Sequence, residues 1–362
     1  MKNKKINVTK TYLPNIDKYK SYIDEIFENG QVTNNGPLVQ KLERRLEEYL
    51  NVSNIILVAN GTLALDVAYR VLNLSGDVIT TPFSFVATTS SIVSSGLNPL
   101  FSDINPHTFN IDPNFIKKKI TKKTSAIVPV HAFGNACEVE EIEKIAEQHN
   151  LKVIYDASHA FGIQYKEDSI LNQGDISTLS LHATKLFHTI EGGALIIKNN
   201  ELANKARKLI NFGINKLGGG IDEVGINAKM NEFEAAMGLC VLDDMKFIIE
   251  KRKVAYNHYI QALNKSFQFQ EKNNNSSNNY SYFSIVMNSE SQLLSIMKKL
   301  NQLQIFPRRY FYPPLNKLNY VEKDQACPVA EDISCRILCL PLSHDLDEKD
   351  QNIIINTLFE AL

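Results

Sequence analysis

From residue 55 onward, short apolar runs and helical patterns take turns along the chain, and this alternation leaves few folds open. Ile55-Ile56-Leu57-Val58-Ala59, Val78-Ile79-Thr80, Leu100-Phe101, Ile127-Val128-Pro129-Val130, Val153-Ile154-Tyr155 and Ile176-Ser177-Thr178 read as strands. Leu63–Leu72, Phe85–Ser95 and Val139–Asn150 read as helices between them. Runs that are apolar on both faces belong in a sheet covered by helices, so the pattern predicts an α/β fold with a mostly parallel sheet and right-handed crossovers. Ligands of such sheets bind beyond the carboxyl ends of the strands. The residues just after each strand therefore matter most: Gly61 and Thr62, Phe83 and Phe85, His131, Asp156 and His159, and finally Ser180 and Lys185.

Lys185 ends the stretch Ser180-Leu181-His182-Ala183-Thr184-Lys185, and Glu191-Gly192-Gly193-Ala194-Leu195 follows shortly after. An amine in an apolar crevice loses its charge readily, and a neutral amine captures aldehydes. A solvated loop lysine is the ordinary reading, and it must be weighed against independent features elsewhere. Asn60-Gly61-Thr62 opens a helix directly after a strand, where free backbone N–H groups and the helix dipole bind phosphate and Gly61 permits close approach. Such joints are common, so this one alone decides nothing. Asp156 follows its strand at once; capping the next helix would be role enough, but a carboxylate there can also keep a pyridinium nitrogen protonated. Phe85 can stack on a ring or pack in the core. An amine, a phosphate cradle and a pyridinium partner together point to pyridoxal 5'-phosphate.

Composition narrows the partners. With 362 residues, 44% hydrophobic and 22% charged, the chain can form two or three domains. Its net charge of -1 supplies no field for nucleic acid or an acidic membrane, and Lys117–Lys123 reads as a solvated helix and its end. No run reaches the length of a membrane span, and no apolar leader follows Met1-Lys2-Asn3-Lys4-Lys5, so a cytoplasmic protein is expected. The five cysteines show no paired CxxC spacing for zinc or a disulfide framework, and no metal site is expected. Cys335 and Cys339 are spaced to share a helix face, yet they surround Ile337-Leu338 and read as small buried thiols.

At the amino end, residues 1–34 read as an arm with a helical pattern over Lys18–Phe27. A turn at Thr33-Asn34-Asn35-Gly36 then precedes an amphipathic helix from Pro37, with Leu38, Leu42, Leu46 and Tyr49 on one side. The polar stretch Glu271–Asn279 reads as a loop or connection.

Taken in order, the motifs resemble one family. They are Thr33-Asn34-Asn35-Gly36-Pro37, Asn60-Gly61-Thr62-Leu63-Ala64-Leu65, Thr81-Pro82-Phe83-Ser84-Phe85-Val86-Ala87-Thr88 and Pro129-Val130-His131-Ala132-Phe133-Gly134. Asp156-Ala157-Ser158-His159, Ser180–Lys185, Glu191-Gly192-Gly193 and Gly225-Ile226-Asn227-Ala228-Lys229-Met230-Asn231-Glu232 complete the set. The chain resembles the DegT/DnrJ/StrS sugar aminotransferases, fold type I pyridoxal phosphate enzymes, over almost its whole length. The resemblance implies a large α/β cofactor domain over residues 1–240 and a small α+β domain over residues 241–362. It implies that Lys185 joins the cofactor covalently and that Asp156 pairs with the pyridinium nitrogen. Thr62, Leu63 and Ser180 would hold the phosphate beside Gly61, Thr62 and Leu63 partly through backbone amides. Phe85 would stack on the ring, and His159 would stand beside the ring hydroxyl. Asn227 would reach the phosphate from the neighbouring subunit of a homodimer with shared sites. Two departures touch other places: Leu181 stands where Phe is usual, and Ala228-Lys229 replaces a common Tyr-Arg pair. Some relatives carry His at the lysine position and dehydrate instead, so Lys185 implies transamination.

Phe306-Pro307-Arg308-Arg309-Tyr310-Phe311-Tyr312-Pro313-Pro314-Leu315 combines a constrained backbone with guanidinium groups and aromatic rings. It is similar to the family's substrate loop, with Arg308 or Arg309 on the diphosphate, Tyr310 and Tyr312 nearby, and His188 assigned to the same side. A structural aromatic loop is the competing reading. The resemblance implies L-glutamate as amino donor and a nucleotide-linked keto sugar as acceptor. Within the family, the Asp156–His159, Thr33–Pro37 and Asn60–Leu65 stretches are most similar to enzymes that make dTDP-4-amino-4,6-dideoxyglucose from dTDP-4-keto-6-deoxyglucose for O-antigens and other glycans. Amination at C3, or of UDP or GDP sugars, stays open, as do a catalytically idle regulator and a lysine-dependent enzyme acting on amino acids.

Overall fold

The computed structural model describes residues 5–215, 219–263, 266–323 and 325–360. Its main sheet has seven strands in the order Ile55–Val58, Gly193–Ile196, Ile176–Ser180, Lys152–Asp156, Thr124–Val128, Asp77–Thr80, Asn98–Phe101. Gly193–Ile196 runs antiparallel to both neighbours, and the other strands run parallel to one another. Successive side chains leave a strand on opposite faces. Leu57, Ile79, Ile127 and Val153 accordingly enter one apolar cluster, and Ile56, Val78, Val128 and Ile154 enter another. That is why the runs read as apolar throughout: the sheet is covered on both sides.

Local chemistry sets the helix boundaries. Asn60 caps Gly61–Val71 by accepting the Leu63 N–H. The helix expected over Phe85–Ser95 spans Val86–Ser94, because Phe85 takes the extended conformation of a capping position. Two helices, Glu232–Asp243 and Met245–Leu263, follow one another and are separated at Asp244. Glu232 is fully buried and accepts the amide protons of Leu38 and Val39 at 2.7 and 3.0 Å, capping the amphipathic helix Pro37–Leu50 from a distance. A Cβ on Gly36 would lie 2.5 Å from that carboxyl carbon, so only glycine admits the contact.

The carboxyl-terminal part carries an antiparallel sheet of Gln268–Phe269, Phe283–Val286 and Ile337–Leu340 with its own apolar cluster. A further cluster joins Phe83, Phe109 and Phe133 to Tyr282, Tyr310 and Phe311, sealing the two parts together. Glu271–Asn279 is a loop, as expected, and it packs closely. Asn273 and Asn279 are buried, and the Asn279 amide donates to the carbonyls of His159 and Phe161. Cys335 lies in the helix Pro328–Arg336 and Cys339 in the strand that follows, so the pair does not share a helix face. The turn from helix to strand at Ile337 separates them; Cys339 is buried as expected, whereas Cys335 is partly exposed. At the amino end, Ile6–Asn7 pairs in parallel with Ile305–Phe306, while Ile16–Asn29 packs on Glu232–Asp243. No helix among the described residues is long and apolar enough to cross a membrane, and none of their His, Cys, Asp and Glu side chains form a group suited to a metal.

Candidate active site

The strand ends meet at a cavity of about 270 Å³. Gly61, Thr62, Phe85, Asp156, His159, Ser180, Lys185, Arg308 and Tyr310, all named from the sequence, line it. Backbone geometry brings them together. The strands Lys152–Asp156 and Ile176–Ser180 are neighbours and place Asp156 and Ser180 at their carboxyl ends. Gly61 packs against Ser180 so closely that a Cβ would lie 3.0 Å from the serine Cβ. Asn60 consumes the Leu63 amide, which leaves the first-turn amides of Gly61 and Thr62 for a ligand beside the Ser180 hydroxyl. The Leu63 amide, expected to face the phosphate, is held by the cap.

Asp156 is 5% exposed. One carboxylate oxygen accepts the Thr88 hydroxyl at 2.8 Å, and the other accepts the Ser158 amide at 3.1 Å. Ser84 in turn lies 2.7 Å from the Thr88 hydroxyl. The carboxylate is thus aimed by neutral donors, and no cation among the described residues is bonded to it. His159, 7% exposed, accepts the Phe133 amide at Nδ1, so in the neutral ring the proton sits on Nε2. Burial, reinforced by the Lys185 charge, lowers its pKa well below the usual value and keeps the ring neutral. Phe133 and Phe311 stack near-parallel to it at 6.1 and 6.0 Å.

Lys185 retains some surface toward the cavity, yet the surrounding protein dominates its titration. Loss of solvation lowers its pKa to about 8; nearby Asp156 raises it and Arg308 lowers it further. The neutral amine that captures a carbonyl is therefore a minor fraction at neutral pH and becomes the main form above about pH 8, well below an ordinary lysine. Its loop is closed by hydrogen bonds from the Leu181, Ala183 and Thr189 amides to the carbonyls of Gly192, Ile190 and Leu181.

The substrate loop is divided. Arg308 pairs its backbone with Cys339 and lays its guanidinium 4.7 Å from the Tyr310 ring centre, on the cavity. Arg309 turns away to the Ser334 carbonyl and the Glu290 carboxylate, with Tyr312 against its guanidinium. Arg309 and Tyr312 line a smaller neighbouring cavity of about 160 Å³ instead. His188 is also absent from the main cavity. It is 1% exposed, with Nε2 bonded to the Tyr12 carbonyl and Nδ1 accepting the Ile190 amide, so neither nitrogen is left for a substrate. Asn227 is exposed outside the cavity, accepting the Lys229 ammonium at 2.7 Å. His131, another strand-end residue, is buried against Tyr155 and accepts the Cys137 amide, a structural position.

Several lining residues were not assigned a role from the sequence. Thr88 and Ser84 sit four apart, at and just before the start of Val86–Ser94, a spacing that could have revealed a shared direction. Tyr282 and Phe311 come from the carboxyl-terminal part, and no local pattern points them at Lys185. His182, Thr184 and Glu191 also line the cavity. The Thr184 amide donates to His182 Nδ1, and Nε2 lies 3.4 Å from Glu191.

Comparison with known proteins follows the same lines. Over 369 residues the chain is 42% identical to a dTDP-4-amino-4,6-dideoxy-D-glucose transaminase of Shigella dysenteriae, covering 99% of each. It is 39% identical to a transaminase of the same name from Escherichia coli, covering 96% of each. In structure it is similar to DesI crystallised in the presence of its TDP-sugar product, with a TM-score of 0.93 and 28% identity over 99% of this chain and 93% of that one. The DegT/DnrJ/EryC1/StrS aminotransferase family model matches residues 15–359. With Lys185 and Asp156 in one cavity and this likeness along its length, the chain belongs to the DegT/DnrJ/EryC1/StrS aminotransferase family.

Proposed function

We propose that the chain uses pyridoxal 5'-phosphate to move an amino group from L-glutamate to dTDP-4-keto-6-deoxy-D-glucose, giving dTDP-4-amino-4,6-dideoxy-D-glucose. The observation that carries this reading is the shared cavity, where the softened amine of Lys185 lies with Asp156, the Gly61 and Thr62 amides and the Ser180 hydroxyl. The relatives' names support the choice of sugar. These residues fit the cofactor: two amides and a hydroxyl suit a phosphate, and a carboxylate held by Thr88 and Ser158 suits a ring nitrogen. When bound, the cofactor supplies an electron sink that makes a proton next to the transferred nitrogen removable.

Lys185 holds the cofactor and then moves the proton as general base. Asp156 keeps the ring nitrogen protonated, and neutral His159 donates from Nε2 toward the ring hydroxyl. Arg308, with Tyr310 beneath it, takes the diphosphate of the sugar nucleotide. Asn227 completes the phosphate site of a neighbouring copy in a homodimer, which accounts for its position outside this chain's own cavity. The large domain ends near residue 240, the enzyme is cytoplasmic, and its product enters O-antigen or related glycan synthesis. Protein loaded with pyridoxal phosphate and given L-glutamate will lose its yellow absorbance and release one 2-oxoglutarate per site. Full loading with no release would overturn glutamate as the donor.

A further inference from the structure

The amino-terminal arm connects two parts of the site that are distant in sequence. At one end, Ile6 and Asn7 pair with Ile305 and Phe306, Leu342 donates to the Val8 carbonyl, and Lys10 pairs with Asp345. Phe306 lies two residues before Arg308. At the other end, Tyr12 donates its hydroxyl to Asp244 at 2.9 Å, packs edge-on against His344 at 4.9 Å, and accepts His188 Nε2 at its carbonyl at 2.8 Å. His188 lies three residues after Lys185.

His188 has a second attachment. Its Nδ1 accepts the amide of Ile190, whose φ of 74° is a left-handed conformation that a β-branched residue avoids. Such a backbone persists only where its surroundings hold it. One imidazole thus fixes an unfavourable turn in the lysine loop and ties that loop to the arm. The bonding requires a neutral ring, since Nδ1 accepts while Nε2 donates, and burial lowers the His188 pKa accordingly.

We infer that His188 is a positioning residue. Through its two ring nitrogens it locks the loop bearing Lys185 to the amino-terminal arm, and the arm, strapped to Ile305–Phe306, sets that loop relative to Arg308. The inference rests on the proposed function for the roles of Lys185 and Arg308, but the mechanical coupling is separate from it. The distance between the reacting amine and the diphosphate contact would then be fixed by residues 6–12, which touch neither substrate.

Hydrogen exchange of the full chain tests the coupling without turnover, read in peptides spanning residues 5–13 and 186–193. In His188→Phe, which keeps an aromatic ring but loses both bonds, both segments exchange faster by about tenfold. Its kcat falls about tenfold while KM for glutamate changes little, a split expected of misplaced chemistry rather than weakened binding. His188→Gln, which retains a donor for the Tyr12 carbonyl, restores most of the arm's protection. Deletion of residues 2–9 leaves His188 in place and still speeds exchange in 186–193. If either variant loosens only the segment it alters, the strap is overturned. A wild-type enzyme that moved no amino group would sink the proposed function, whereas the exchange data would still decide the coupling.

Discussion

Asp156 and His159 stand on the inner wall of the cavity, nearly buried, each ring or carboxylate aimed by donors from the large sheet and its turns. Phe85 and Arg308 stand on the rim: Phe85 is 52% exposed, and the Arg308 guanidinium rests on an aromatic face. A buried polar network holds one geometry because loss of any partner leaves an unsatisfied group in a low-dielectric interior. An exposed rim side chain carries no such constraint. The wall can therefore fix the chemistry while the rim adapts to the sugar and nucleotide, which suits a family in which similar folds serve different sugar substrates.

The contrast breaks most sharply at Asp156. Asp156→Asn preserves shape and much of the hydrogen bonding but removes the charge, so kcat will fall about a hundredfold or more, measured in steady state with glutamate and keto sugar. A loss below threefold would mean that the wall does not set the electronics. On the rim, Arg308→Ala will raise KM for the sugar nucleotide about tenfold and leave kcat within about twofold. Arg309→Ala, whose partners are Ser334 and Glu290, will leave that KM unchanged. Reversal of the two arginine results would exchange their roles.

A smaller effect should separate aim from charge. Thr88→Val removes the hydroxyl that donates to Asp156 while keeping a β-branched shape, and kcat will drop about fivefold with no change in KM for the sugar. The smallest effect concerns acidity. A lysine of ordinary pKa 10.5 gains neutral amine steadily up to that pH, whereas Lys185, lowered to about 8, should react with added pyridoxal phosphate at a rate that rises to about pH 8 and then levels. Because the folded pKa lies below the unfolded one, the unfolded chain binds more protons between about pH 8 and 10.5. The cofactor-free protein should therefore gain stability from this group as pH rises through that window, as urea midpoints will show.

The inner wall was far more legible in the sequence than the rim. Gly61, Asp156 and Ser180 follow apolar strands directly, and a parallel sheet collects whatever follows its strands. Strand periodicity places them in one cavity, and residue chemistry suggests the role proposed for each. The rim depends on side-chain direction, which adjacent arginines do not announce: Arg308 faces the cavity, whereas Glu290 and Ser334 draw Arg309 away. At Leu63, Asn60 competes for the amide as a good cap, which the motif alone does not reveal. The partner of His188, the Tyr12 carbonyl, lies 176 residues distant in the chain, so no local pattern reveals it. Glu271–Asn279 is the loop that its composition indicates, but composition reports polarity and not the backbone carbonyls that bury its asparagines.

The central claim is that the chain moves nitrogen from glutamate to a keto sugar and depends on Lys185 to do so. Its most direct measurement follows ¹⁵N from labelled L-glutamate into dTDP-4-keto-6-deoxy-D-glucose by mass spectrometry, comparing the wild-type enzyme with Lys185→Ala. The account predicts a labelled dTDP-amino sugar from the wild type and at least about a thousandfold less from the variant. An unlabelled sugar in the wild-type reaction, or equal labelling by both proteins, would contradict it.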